Sequence, residues 1–163
     1  TYRLHPDHEY DYKDFRSSRV FGQSAHPIRP MLAKIKAIHR NGGNAQIVTA
    51  RQDFDDKNEF GKHLAKYGID SKKIYVHRAG NINPRGRAAV NKAQKISDLI
   101  KEHGYKHVHL YDDSSENLDH FLALKKQHPD VTFHAHHVIH NPRTGKVTLI
   151  HKTAWHFFLF GLE

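Results

Sequence analysis

From Ile28 onward the apolar residues Ile28, Met31, Leu32, Ile35 and Ile38 recur at the three-and-four spacing of a single helix face. Pro27 and Pro30 are tolerated in a first turn, and "NGG" at Asn41 to Gly43 supplies the stop. "AQIVTAR" then reads as a short buried strand ending at Thr49, and a helix follows over Asp55 to Tyr67, closed by Gly68. Lys73 to Arg78 predicts a second strand, after which "AGNINPRGR" is a loop. A long helix carries Val90, Ile96, Leu99 and Ile100 and stops at Gly104. His107 to Tyr111 is the next strand. Ser114 or Ser115 caps a helix whose inner face is Leu118, Phe121, Leu122 and Leu124; Asp113 and Glu116 also have capping-box spacing, and Pro129 ends the segment. Val131 to Ile139 reads as a strand joined through "HNPRTGK" to Val147 to Ile150, a hairpin.

Short apolar strands alternating with helices predict an α/β domain with a largely parallel sheet and a C-terminal β-hairpin. The length of 163 residues fits one domain: an irregular lead-in over 1–27, an α/β core over 28–130, and a hairpin and tail over 131–163. In such sheets ligands bind beyond the carboxyl ends of the strands, where Thr49 and the pair Asp112 and Asp113 fall.

Charge adds a direction. Lys and Arg number 26 against 17 Asp and Glu, a formal +9 that favours phosphate-bearing partners, nucleic acid among them. Without cysteine there is neither a disulfide framework nor a thiolate metal site, and a cytoplasmic location is the natural expectation. No apolar run reaches membrane-spanning length; "AWHFFLFGLE" is too short and reads as a last strand or packed tail. The chain starts at Thr1, which suggests a processed start or a fragment.

Two adjacent carboxylates at a strand end stay ionised together only beside positive charge. Magnesium suits them, because it takes one or two carboxylates and completes its shell with water and phosphate oxygens. The plainer alternative makes Asp113 a helix cap and Asp112 a solvated loop charge. Thr49 offers a hydroxyl and following amides to a phosphate oxygen. Lys92, in "AVNKAQKISDLI", opens a helix near the same edge, with Lys95 as the alternative.

The order strand-Thr ("IVTAR"), helix-borne Lys ("NKAQKI") and strand-Asp-Asp ("HLYDDSSENL") resembles motifs two, three and four of the haloacid dehalogenase (HAD) superfamily. The likeness is to phage-type HAD phosphatases and the phosphatase half of polynucleotide kinase/phosphatase, and covers roughly Ile28 to Leu124. It implies a HAD-like, Rossmannoid fold and a phosphohydrolase working through an aspartyl-phosphate. In that scheme Thr49 binds the phosphoryl group, Lys92 neutralises charge on it, Asp112 and Asp113 hold Mg2+, and Arg51 is a substrate contact. The family's first motif, a strand ending in Asp-x-Asp, is not found. Asp7, Asp11 and Asp14 lie in "HPDHEYDYKDF", which has no preceding apolar strand. The resemblance places that strand between those of "IVTAR" and "HLYDD", so the central first strand is expected to be missing here. Either Thr1 lies just downstream of it in the intact protein, or the chain is a non-catalytic relative that binds nucleic acid or serves assembly. Neither lead-in nor loop has room for a cap domain, and an open site suits a bulky substrate such as a phosphorylated nucleic-acid end or a nucleotide.

The loop residues Arg78, Arg85 and Arg87 lie where a substrate would approach, as phosphate contacts or as solvated charges. Histidine occurs 17 times, and "FHAHHVIH" alternates. Phe133, Ala135, His137 and Ile139 share one face, and His134, His136 and His140 the other. His134 and His136 have zinc-compatible spacing without an evident third ligand, and a solvated face is the simpler expectation.

Overall fold

The computed structural model describes residues 27–52, 57–70 and 72–152. The elements follow the alternation expected. Helix α1 (Arg29–Arg40) leads to β1 (Ile47–Thr49), α2 (Lys57–Lys66) and β2 (Val76–Arg78); after a single 3-10 turn come α3 (Ala88–His103), β3 (His107–Asp112), α4 (Ser115–Ala123), β4 (Thr132–His140) and β5 (Val147–Lys152). Among the described residues no helix is long and apolar enough to cross a membrane.

The strands form two sheets. β1 and β2 pair in parallel, with Thr49 opposite Arg78. β3 and β4 pair in parallel, with Asp112 opposite His137, and β5 returns antiparallel to β4. Among the described residues, β1 bonds only to β2, and β3 only to β4 and not to β1.

Alternation along the strands assigns two cores. Ala93, Ile96 and Ile100 of α3, Leu118, Phe121 and Leu122 of α4, and Ala135 of β4 form the larger one, with Val48, Val108, Leu110 and Phe133 packed against it. Phe121 and Leu118 are fully buried there, and a side chain of that size contributes about 2–3 kcal/mol on burial. The smaller core is Leu64, Ile69 and Ile74, against which Leu32, Ile35, Ile47 and Val76 pack. Helix α1 therefore lies on the opposite side of β1 from α3. Its apolar stripe is the predicted one, yet none of its residues is fully buried.

The two sheets run in one direction. The Tyr105 hydroxyl, just before β3, accepts from Asn44 Nδ2 at 2.8 Å and Gln46 Nε2 at 3.2 Å, just before β1. With their starts side by side and Val48 and Leu110 packed on one core, β1 and β3 end at the same edge. Helix α3 stops where expected: Gly104 adopts φ 69°, and its amide bonds the Ile100 carbonyl at 2.8 Å, a left-handed cap that glycine adopts without a Cβ penalty.

Candidate functional site

β3 delivers Asp112 to the strand-end edge on the α3 side, because it shares the parity of Val108 and Leu110. Helix α3 enters from that edge and sets Lys92 one turn from its start. Lys92 Nζ and Asp112 Oδ2 meet at 2.8 Å, with side chains 15% and 4% exposed. The other carboxylate oxygen, Oδ1, accepts from the Ser114 amide at 2.9 Å and from Asn117 Nδ2 at 3.0 Å. Burial by itself would raise the Asp112 pKa. The hydrogen bond and charge of Lys92, with the Ser114 amide and Asn117, outweigh it and hold the carboxyl below its ordinary value. Asp112 is thus ionised, buried and paired.

This reverses the plainer assignment of roles made for the two acids. Asp112 is a buried acceptor and not a solvated loop charge, and Asp113 is exposed. The cap of α4 is Ser114, whose hydroxyl accepts from the Asn117 amide at 3.3 Å. His137 donates through Nε2 to the Asp113 carbonyl at 3.0 Å, fixing the turn to β4.

At the end of β1 the Thr49 hydroxyl accepts from the Arg51 amide at 3.2 Å, turning the chain immediately after the strand. A close approach fixes this turn from below: a Cβ on Gly80 would stand 2.4 Å from the Ala50 carbonyl oxygen, so only glycine lets the loops after β1 and β2 nest. Thr49 has the parity of Ile47, which faces the α1 side. A ligand touching both Thr49 and the Lys92–Asp112 pair would therefore lie across the strand ends and not on one face.

The basic residues divide. Arg51 is half-buried at the Thr49 turn, and burial lowers its pKa, although a guanidinium stays charged. Arg78 ends β2 opposite Thr49. It lines a cavity of about 360 Å³ with Val76, His77, Asn81, Ile82 and Lys95. That places Lys95 toward β2, whereas Lys92 is the lysine on the aspartate. Arg85 is exposed in the loop, and Arg87 forms an ion pair with Glu116 in the first turn of α4. Asn91, buried in α3, donates to the Asn83 carbonyl at 2.8 Å and pins the same loop.

Sequence reasoning passed over Asn117 and Gly80. The signal for Asn117 was an amide at the third helical position after Ser114, poised to reach back to the strand end. It also passed over Asp53 and Asp55, which have Asp-x-Asp spacing shortly after Thr49 in the sequence; they lie outside the described residues. Asp7, Asp11 and Asp14 lie outside them as well, as does the apolar tail from residue 153. Among the described residues no group of three or more His, Cys, Asp or Glu is arranged to hold a metal ion. His134 and His136 instead stack on neighbouring rings of β3. Comparison of the chain with protein-family models, with curated proteins and with solved structures gave no match.

Proposed function

We propose that the strand-end edge is a phosphoryl-binding site, part of a HAD-like phosphohydrolase that acts on a phosphorylated nucleic-acid end or a nucleotide through an aspartyl-phosphate. The observation that carries this reading is the buried Lys92–Asp112 pair at 2.8 Å, set at the edge where Thr49 and Arg51 end β1. A lysine beside an ionised carboxylate at the mouth of a parallel sheet supplies the charge neutralisation that phosphoryl transfer demands. The one-sided pairing of β1 and β3 also supports it, since the resemblance seats a nucleophile-bearing strand between them.

Mg2+ is the implied ion. Asp112 and Asp113 provide oxygen donors of the right kind, and magnesium needs few protein ligands when phosphate and water complete its shell. Bound there, it would polarise the phosphoryl oxygens. Lys92 already neutralises Asp112, so an incoming ion competes with the ammonium for one oxygen. The reaction still requires a carboxylate nucleophile, and besides Asp112, which is assigned to the ion, no described strand ends in a carboxylate. That shortage favours a second reading, a non-catalytic nucleic-acid-binding or assembly module.

Calorimetric titration with orthophosphate and Mg2+, alongside hydrolysis of 3′- and 5′-phosphorylated oligonucleotides, separates the readings. Under the first, phosphate binds only with Mg2+, and Asp112→Asn abolishes both that binding and turnover, the latter by at least about 100-fold, as expected on loss of one electrostatic stabiliser. Polynucleotide binding with neither phosphate nor Mg2+ affinity would establish the second reading and end the first.

A further inference from the structure

On the side of β3 and β4 away from α3, five rings form a ladder, each from the strand opposite its neighbours. His107 lies against His134 with centroids 6.4 Å apart and planes 21° apart. His134 lies against His109 at 4.2 Å and 11°, His109 against His136 at 5.3 Å and 9°, and His136 against Tyr111 at 4.3 Å and 7°. The register produces this: His109 is paired with His134 and Tyr111 with His136, so alternate residues of two parallel strands interleave on one face. His151 of β5, opposite His136, meets its ring nearly edge-on at 5.3 Å. Lys34 of α1 places its ammonium 5.0 Å from the Tyr111 ring centre.

Stacked faces leave the ring edges, with their nitrogens, as the part of the ladder that a ligand can reach. His109 Nδ1 and His136 Nε2 stand 3.0 Å apart, a hydrogen bond with a proton on one nitrogen and a lone pair on the other. The groups facing this pair are His107 and Tyr111 from β3, His134 from β4, His151 from β5 and Lys34 from α1. None is a carboxylate. Several imidazoles thus stand within stacking distance beside a fixed ammonium, with no counter-charge among the described groups around them. After burial, the neighbouring rings and Lys34 resist protonation of His109 and His136, and an external anion would relieve both.

We propose that this imidazole strip binds the phosphodiester backbone of single-stranded nucleic acid and takes up protons as it does so. Charge complementarity selects the partner: the strip gains positive charge as it titrates, on a chain already at +9, and a backbone with a phosphate at every residue matches a run of ring edges better than a lone anion does. Each phosphate that approaches raises the affinity of the nearby imidazoles for a proton, and each proton strengthens the contact. The depressed pKa of His109, caused first by burial and then by His134, His107, Lys34 and His151, is the unbound side of the same coupling. The strip faces away from Asp112, so the inference stands apart from the phosphatase reading.

The test is fluorescence anisotropy of a labelled oligothymidylate on the intact chain, at constant ionic strength, from pH 7.5 to 5.5. Linkage of one proton raises the association constant about tenfold per pH unit. That slope is the expected result, and it should persist with EDTA in place of Mg2+, on which phosphate binding at the strand-end site depends. The double variant His109→Asn/His136→Asn, confirmed folded by circular dichroism, should keep the pH-independent part of binding and lose the slope. In parallel, NMR titration of the wild-type imidazole Cε1–H signals should show both midpoints rising when oligothymidylate is added. A flat pH profile in the wild type, midpoints unmoved by the oligonucleotide, or a slope retained in the double variant overturns the proposal. An equal acid-dependent response to anionic phospholipid vesicles would overturn the choice of partner.

Discussion

β3 and β4 send alternate residues into two unlike environments. Val108, Leu110, Phe133 and Ala135 meet α3 and α4 in the larger core, while His107, His109, His134 and His136, one residue out of phase, stack on the other side. The backbone and the pairing register are common to both faces, so parity alone separates them. The apolar face gains stability by leaving water. The imidazole face keeps contact with water and with it a response to pH, which suits it to reversible ligand binding and makes it a poor source of stability. The Lys92–Asp112 pair lies on the apolar side at the end of the strand, where burial opposes charge and Lys92, the Ser114 amide and Asn117 keep the carboxylate ionised.

Emptying the apolar face should have the largest effect. Phe121 is fully buried and packs edge-on to Phe133 with centroids 5.2 Å apart. Phe121→Ala should lower unfolding stability by about 3–5 kcal/mol, read from the urea midpoint, whereas His134→Ala should change it by less than about 1 kcal/mol. Equal losses would mean that the imidazole face is a second core. Next comes the charge at the strand end. Asp112→Asn keeps the acceptor for Ser114 and Asn117 but strands Lys92, whose side chain is 15% exposed, and should cost about 3 kcal/mol. Asp113→Asn, at an exposed site, should stay within about 0.5 kcal/mol. The Asp112→Asn deficit should shrink in a Lys92→Met background, where no buried ammonium is left unpaired. A deficit that persists would show that Asp112 acts through the backbone turn and not through the lysine.

Much of the frame was legible because periodicity reports burial. The stripes of α3 and α4 point to the residues that are buried, except that Val90, in the first turn of α3, is 46% exposed, and His107 to Tyr111 falls within β3. The strand expected from Lys73 fails for a local reason: the amides of Lys73 and Ile74 both turn back to the Asp70 carbonyl at 3.0 Å, so pairing begins only near Val76. The cap of α4 was ambiguous because Asp113, Ser114 and Ser115 can all accept from a helix start. Lys92, twenty residues earlier, draws Asp112 inward and leaves Ser114 to the helix, a choice made by tertiary packing. The imidazole ladder was half legible. The i, i+2 spacing within each strand was visible in "HVHLY" and "FHAHH", but the interleaving depends on a parallel register that no short pattern encodes.

The smallest effect tests the imidazole face by itself. In the folded chain the His136 pKa is lowered to about 4, by partial burial first and then by His109, His151, Lys34 and His134, against an ordinary value near 6.5. Between these values the unfolded chain binds a proton that the folded chain refuses, so stability is complete above about pH 6.5 and falls as the pH drops toward 4. The site is largely open to solvent, and screening reduces the loss to the order of 1 kcal/mol. Urea midpoints measured at steps from pH 7.5 to 4 should decline in the wild type and flatten in His136→Asn. Asp112 separates itself from this window: its pKa lies below the ordinary carboxylate value, so its contribution is lost only at still lower pH, through protonation of the buried pair. A decline that begins above pH 6.5, or one that survives His136→Asn unchanged, would place the titrating group outside the ladder and leave the two faces of the sheet alike in their response to acid.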